Sequence, residues 1–168
     1  MRVRKAFTLV EILIVVVILA ILAAIALPRF SNASAVARAS MLADDLRVIR
    51  TQIAVYKAQH LDVPPGYPNG DRAQAPTVAA FLSQMTMAST VAGQTAPIGT
   101  PGFDYGPYLR EMTPNPLNGK ATVEVLADGA ALPAAGDDSH GWIYQPSTLV
   151  LKGDTPGTDE KGRLYYEY

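Results

Sequence analysis

Residues 5–27 read KAFTLVEILIVVVILAILAAIAL, and this stretch decides the fold of the first part of the chain. Its apolar run of 21 residues ends at Leu27, and only Thr8 and Glu11 within it are not hydrophobic. As an α-helix rising about 1.5 Å per residue, the run would extend roughly 30 Å, which is the thickness of the hydrocarbon core of a bilayer. The sequence therefore predicts a transmembrane helix over residues 7–28.

The charges that flank the run predict its orientation. Residues 1–6 carry no acidic side chain and three basic ones, Arg2, Arg4 and Lys5. The positive-inside rule then places this end in the cytoplasm and everything after Arg29 outside. A cleaved secretory signal peptide would have a shorter apolar stretch. A simple membrane anchor gives no reason for Glu11, because an ionisable residue inside a membrane segment is costly and by default indicates a function.

The composition changes at residue 60. All 13 glycines and 12 of the 13 prolines follow His60. Before it, apolar residues recur three and four apart, which predicts an amphipathic continuation of the helix over residues 29–60. These residues are Val36, Ala39, Leu42, Leu46, Ile49, Ile53 and Tyr56. His60 falls at the predicted helix end, where a partly positive imidazole suits the helix dipole. Residues 61–168 then form a loop-rich globular head.

Within the head, the sequence predicts one short helix and three to four strands. Thr77 is placed to cap a helix over residues 78–87. Residues 88–107 hold four glycines and three prolines, which favours a long surface loop. The strands are predicted at residues 121–126, 142–145, 148–151 and 164–168. A long helix packed on three to four antiparallel strands makes the fold class α+β.

The segment Lys5-Ala6-Phe7-Thr8-Leu9-Val10-Glu11 resembles the type IV prepilin signal, in which a short basic leader and a small residue precede Phe-Thr-Leu-x-Glu. The resemblance implies that residues 1–6 are a leader, that a prepilin peptidase cuts between Ala6 and Phe7, and that the new amino group of Phe7 is methylated. It also implies a role for Glu11 in subunit register and assembly. The family usually has glycine before the cut, and Ala6 is similarly small.

The resemblance further implies that the helix over residues 7–28 forms the core of a filament. A kink is expected at Pro28, although a helix boundary at this proline explains the sequence equally well. The location implied is the inner (cytoplasmic) membrane, which the chain crosses once, with a cytoplasmic N-terminus and a periplasmic or extracellular head. From there the subunit is assembled into a filament.

The function implied is that of a structural subunit rather than an enzyme. Its partners are copies of itself, other pilin-like subunits, prepilin peptidase, the inner-membrane assembly platform and membrane lipid. The cysteine-free chain, the YLREMTPNPLNG segment at residues 108–119 and the Gly141-Trp142 pair are most similar to a major pseudopilin of type II secretion. Two other functions stay open. One is a major or minor type IV pilin used in adhesion, motility or DNA uptake, and the other is a single-pass membrane protein with a binding or sensory head.

Charge and chemistry exclude several classes of function. The formal net charge of −1 gives no electrostatic indication of a nucleic-acid partner. The absence of cysteine excludes disulfides and thiolate metal sites. The segment Asp137-Asp138-Ser139-His140 contains hydrolase residue types but has no nucleophile elbow beside it, so no catalytic residue is predicted.

A calcium site is the one cofactor that the resemblance raises, because pseudopilin heads often bind calcium through a C-terminal loop. The candidate ligands are Asp154, Asp159 and Glu160. Calcium takes six to eight oxygen ligands, and the spacing here matches no strict pattern. Lys152 and Lys161 also flank the loop. The sequence therefore favours a solvated acidic turn, with no metal and no cofactor.

Overall fold

The computed structural model describes residues 8–168, apart from the side chains of residues 25–33. Residue contacts divide the chain into two units, Met1–Ala37 and Arg38–Tyr168. Helix α1 runs over Leu9–Gln59, close to the predicted end at residue 60. The fold is α+β, with this N-terminal helix and two small sheets.

Several predicted features lie outside the described residues. Ala6 and Phe7, with the rest of the predicted leader, precede the first described residue. The side chain of Pro28 belongs to the undescribed set within α1. Cleavage, methylation and the kink at Pro28 therefore stay predictions.

In the second unit, α1 buries the face that the apolar spacing predicts. Its buried side chains are at most 8% exposed, and they are Ala39, Leu42, Leu46, Ile49, Ile53 and Tyr56. Val36, the first residue of the predicted face, belongs to the other unit and is 45% exposed. Since full burial of one large aliphatic side chain contributes about 1.5–3 kcal/mol, this face is a main source of stability for the head.

Helix α2 spans Val78–Thr86 and completes the core on a second side. The side chain of Thr77 accepts a hydrogen bond from the N–H of Ala80 at 3.1 Å, so the predicted N-cap is confirmed. Phe81 and Met85, one turn apart, are fully buried. The Phe81 ring lies 4.8 Å from the ring of Tyr144, which fixes α2 against the sheet.

The main sheet has three strands in the order β3 (Val123–Val125), β4 (Trp142–Gln145) and β5 (Val150–Gly153). Strands β4 and β5 form an antiparallel hairpin, whereas β3 and β4 are parallel with Val123 opposite Trp142. The prediction of an entirely antiparallel sheet is therefore wrong. The long connection between β3 and β4 returns the chain to the end at which β3 began, as parallel pairing requires.

Strand β5 begins two residues later than predicted. The turn after β4 continues through Leu149, whose φ is 59°. The N–H of Leu149 donates to the carbonyl of Pro146 at 3.3 Å. Because this residue is in the left-handed region, it cannot belong to a regular strand.

The region at residues 88–107 is more ordered than predicted. It contains a two-stranded antiparallel sheet of β1 (Ala88–Ser89) and β2 (Thr95–Ala96). The N–H of Ser89 also donates to the carbonyl of Tyr105 at 2.8 Å, so a third segment pairs with β1. Backbone hydrogen bonds therefore order these short segments, although their glycine and proline content favours a loop.

The predicted fourth strand at residues 164–168 is wrong, because this segment contains a 3₁₀ turn over Tyr165–Glu167. The outer edge of β5 is occupied instead by a side chain from α1. The Arg50 guanidinium donates to the carbonyl of Leu151 at 2.7 and 3.2 Å. It also donates to the carbonyl of Tyr168 at 2.9 Å. Since Arg50 takes the edge carbonyl, the last residues pack against β5 without joining its ladder.

Candidate functional site

The motif around Glu11 begins α1 with reciprocal hydrogen bonds. The Thr8 hydroxyl accepts the N–H of Glu11 at 3.2 Å, and the Glu11 carboxylate accepts the N–H and the hydroxyl of Thr8 at 3.3 Å. This arrangement is a capping box, which satisfies N–H groups that have no partner within the helix. Glu11 therefore has a local role at the start of the helix in addition to any role between subunits.

The apolar part of α1 exposes large side chains on every side. Leu9 is 83% exposed, and the large apolar residues that follow it, up to Leu22, are 50–59% exposed. The set comprises Leu9, Val10, Ile12, Leu13, Ile14, Val15, Val16, Val17, Ile18, Leu19, Ile21 and Leu22. A helix that is apolar all round needs lipid or protein to cover it, whereas an amphipathic helix needs cover on one face only.

Among the residues that the structure describes, no helix combines the length and the apolarity needed to cross a membrane.

The calcium candidate Asp154 is fully buried in a set of hydrogen-bond donors. One carboxylate oxygen accepts the N–H of Asp137 at 2.8 Å. The other accepts the N–H of His140 at 2.7 Å and the hydroxyl of Ser139 at 3.0 Å. The expectation that Asp154 is solvated is therefore wrong, because its carboxylate holds residues 137–140 in place.

The other two calcium candidates lie in a different turn. The Asp159 carboxylate accepts the N–H groups of Lys161 and Arg163 at 2.8 and 2.9 Å, and the Tyr168 hydroxyl at 2.7 Å. The Tyr168 hydrogen bond, helped by the N–H donors, lowers the pKa of Asp159. Glu160 is exposed. No group of three or more acidic or histidine side chains within residues 8–168 is arranged to hold a metal ion.

The hydrolase-like residues do not form a relay. The Ser139 hydroxyl oxygen lies 2.9 Å from Nδ1 of His140 and 3.0 Å from a carboxylate oxygen of Asp154. In a catalytic triad the imidazole lies between the carboxylate and the hydroxyl. Here the hydroxyl contacts both groups, so the arrangement orders a loop and gives no activated nucleophile.

His60 is buried, and its imidazole joins the end of α1 to strand β1. Its ring stacks on Tyr56 with 3.8 Å between centroids, and Nδ1 lies 2.8 Å from the carbonyl oxygen of Tyr56. Since that carbonyl can only accept, Nδ1 carries the proton, and Nε2 accepts the Ser89 hydroxyl at 2.9 Å. Burial lowers the pKa of His60, an effect that the Tyr56 hydrogen bond partly opposes. Burial thus disfavours the partly positive imidazole that the helix dipole alone would favour.

The family model of the prokaryotic N-terminal methylation motif matches residues 1–27. This match supports a type IV pilin-like protein, and the motif implies processing by prepilin peptidase, anchoring in a membrane and assembly into filaments. No curated protein and no solved structure matches the chain. The matched residues end before the head begins, so the match bears on the N-terminal segment alone.

Sequence reasoning missed two features of these sites. The capping box could have been predicted from the sequence, because Thr8 and Glu11 have the Ser/Thr-x-x-Glu spacing of this motif and stand at the start of an apolar run. The hydrogen-bond partners of Asp154 could not be predicted from the sequence, because they lie 14 to 17 positions earlier in the chain. No local pattern encodes such a contact.

Proposed function

We propose that this chain is a non-enzymatic structural subunit of a periplasmic pseudopilus of the type II secretion kind, assembled from the inner membrane after cleavage by prepilin peptidase. The observation that carries the proposal is the coincidence of two features. The methylation motif at residues 1–27 includes the first part of helix α1, whose large apolar side chains over residues 9–22 are exposed on all sides. Lipid covers these side chains before assembly, and the helices of neighbouring subunits cover them afterwards.

The register of the filament would come from one pair of charges. Cleavage after Ala6 creates an amino group on Phe7 whose unperturbed pKa is near 8, so it is largely cationic at neutral pH. In a stack of subunits this amine can pair with the Glu11 carboxylate of a neighbour. Each charge is costly when it is alone in an apolar core, so registers that leave the charges unpaired are disfavoured.

The local hydrogen bonds of Glu11 are compatible with such a pairing. The bonds between Thr8 and Glu11 measure 3.2–3.3 Å, at or just beyond the long end of the usual range, so they are weak. An ionised carboxylate accepts about four hydrogen bonds, so a cationic partner can be added without opening the capping box. Glu11 is also exposed within its own chain, which leaves the carboxylate accessible to a second subunit.

The experiment that tests the proposal is the mass of the N-terminal peptide from membranes that contain or lack a prepilin peptidase. We expect a methylated peptide that begins at Phe7 only when the peptidase is present. An intact leader in both samples would contradict the proposal. The single-pass binding or sensory head would then be the better explanation, and it also predicts that no high-order assemblies form.

The choice of a pseudopilus over a surface pilus rests on the head. Many adhesive pilins carry a C-terminal loop closed by a disulfide, which this cysteine-free chain cannot form. Deletion of the gene separates the two systems, because loss of secretion with normal surface pili supports a pseudopilus. Loss of pili with normal secretion supports the type IV pilin instead.

A further inference from the structure

The turn at residues 115–120 is closed by internal hydrogen bonds and buried at its start. Asn115 is fully buried, and its side-chain oxygen accepts the N–H of Leu117 at 2.9 Å. The backbone of the turn closes with hydrogen bonds of 2.9 Å from Asn115 to the carbonyl of Lys120 and 2.7 Å from Gly119 to the carbonyl of Asn115. These bonds fix the directions in which the side chains of the turn point.

Two asparagine amides of this turn donate hydrogen bonds to the loops around Asp154. The Asn115 amide donates to the carbonyl of Gly141 at 2.9 Å and to the Thr155 hydroxyl at 3.0 Å. The two N–H groups of the Asn118 amide face three oxygens, so one hydrogen is shared: the His140 carbonyl at 2.8 Å, the Asp154 carbonyl at 2.9 Å and the Asp138 carboxylate at 3.1 Å. The turn thereby bridges the segment before strand β4 and the segment after strand β5.

A charged donor of the same turn reaches the same loop. The Lys120 ammonium donates to the carbonyl of Asp138 and lies 3.5 Å from the carbonyl of Ser139. The two backbones are also in close contact, because a Cβ at Gly141 would lie 1.9 Å from the carbonyl oxygen of Lys120. The loop at residues 137–141 is therefore held by one ammonium group and two amides.

These residues do not fit a calcium ion. Calcium needs six to eight oxygens that point toward it with free lone pairs. Three of the about four acceptor positions of the buried Asp154 carboxylate already take N–H or O–H donors. The carbonyls of residues 138–140 and 154 already face the Asn118 amide or the Lys120 ammonium. A cation that approached the loop would meet donor hydrogens and the positive charge of Lys120.

We infer that the turn at residues 115–120 takes the place of a bound cation. Lys120 supplies the positive charge, Asn115 and Asn118 supply directed donors, and the head orders its C-terminal loops without calcium. The inference rests on the head alone and holds whether or not the chain forms a pseudopilus. It also distinguishes this head from those pilin-like heads whose loops close around calcium.

The test is thermal unfolding of the full chain in detergent micelles, followed by the fluorescence of Trp142. This residue is the only tryptophan, it is fully buried, and its indole N–H donates to the carbonyl of Thr113 at 2.8 Å. The unfolding temperature is measured with EGTA, with magnesium and with calcium at about 10 mM, roughly tenfold above the weakest dissociation constants of extracellular calcium modules. We expect unfolding temperatures that agree within about 1 °C. A site with calcium at about ten times its dissociation constant would instead raise the unfolding temperature by several degrees.

Variants of Lys120 test the positive part of the inference. Lys120→Met should lower the unfolding temperature by several degrees, and Lys120→Arg, which keeps the charge, should stay near the wild type. Lys161→Met changes another exposed lysine near the C-terminal loop and serves as the control. A calcium-specific rise in the wild type that EGTA reverses would overturn the inference, and so would a Lys120→Met variant that unfolds at the wild-type temperature.

Discussion

Glu11 has two separable roles at the scale of the residue. The capping box uses its side-chain oxygen as an acceptor, which a neutral amide also provides. The proposed pairing with the Phe7 amine uses its negative charge, which an amide lacks. A substitution that keeps the acceptor and removes the charge therefore separates the start of the helix from the register of the filament.

We predict that Glu11→Gln leaves processing and helix formation intact but reduces incorporation into filaments at least tenfold, because the Phe7 amine then lacks its counter-charge. Thr8→Ala is the matched control, since it removes the capping hydroxyl and keeps the carboxylate. The measurement is the ratio of processed subunit in sheared filaments to that in membranes. Normal filaments from the Glu11→Gln variant would rule out a register set by charge.

His60 provides a second prediction at this scale, because its imidazole is buried and enclosed by aromatic rings. The rings of Tyr105 and Tyr108 pack edge to face with it, with ring centroids 5.3 and 5.8 Å from its own, in addition to the stacked Tyr56. Burial lowers the pKa of His60 in the folded head, so the unfolded chain binds this proton at a higher pH. The stability that His60 contributes is thus present above its ordinary pKa of about 6.5 and is lost as the pH falls below it.

We predict that the free energy of unfolding decreases as the pH falls from about 7 to 5, by at most roughly 1.4 kcal/mol per pH unit from this one group. Depressed carboxylate pKa values, such as that of Asp159, contribute at still lower pH. Burial, with the neighbouring Asp44, raises the pKa of Asp45, so protonation of this carboxyl opposes the His60 slope toward the acidic end of the range. His60→Gln should flatten the slope in urea unfolding experiments. The chain has two histidines, and His140→Gln should retain the slope. Equal slopes in both variants would show that another group is responsible.

At the scale of the element, α2 depends on its cap. The hydrogen bond from the Ala80 N–H to Thr77 satisfies one of the donors at the start of this nine-residue helix. We predict that Thr77→Ala destabilises the head by about 1 kcal/mol, and that Thr77→Ser, which keeps the hydroxyl, costs only a few tenths. Denaturant unfolding followed by Trp142 fluorescence measures both. An equal loss in the two variants would mean that the Thr77 methyl group, rather than its hydroxyl, stabilises the helix.

Local spacing predicts elements well where one face of an element meets the core. The buried face of α1, the cap at Thr77 and strand β4 all follow from patterns within a few residues. The direction of β3 does not, because it depends on the path of the whole connection to β4. The conformation of residues 164–168 also depends on a distant part of the chain. Arg50 of α1, which lies about 100 residues before β5 in the sequence, occupies the edge of that strand.

At the scale of the whole molecule, the two candidate sites also differ in whether they depend on local sequence or on long-range contacts. The methylation motif is contiguous, so the sequence alone indicates its chemistry. The network around Asp154 joins the turn at residues 115–120 to the loop at 137–141 and to the end of β5. The sequence identified Asp154 as a possible calcium ligand. Only the fold shows which N–H and O–H groups donate hydrogen bonds to its carboxylate.

The distribution of exposed apolar side chains gives the last prediction. Large apolar residues are exposed almost without interruption over residues 9–22, whereas within Arg38–Tyr168 they are scattered, as at Met41, Val48 and Ile98. Scattered exposure is ordinary for a soluble surface, and a continuous apolar surface drives association. We therefore predict that a fragment comprising Arg38–Tyr168 is folded and monomeric without detergent, while the full chain associates unless detergent is present.

Sedimentation velocity measures the association state, and Trp142 emission reports whether the head is folded. The matched variant is the full chain with Ile14→Lys and Ile18→Lys, which keeps its length and places two charges on the apolar segment. We expect this variant to associate less than the wild type and to keep the same Trp142 emission. If the fragment instead associates as strongly as the full chain, the main contact surface lies on the head. The apolar part of α1 would then be needed for the membrane alone, because cohesion would come from residues that remain in the fragment.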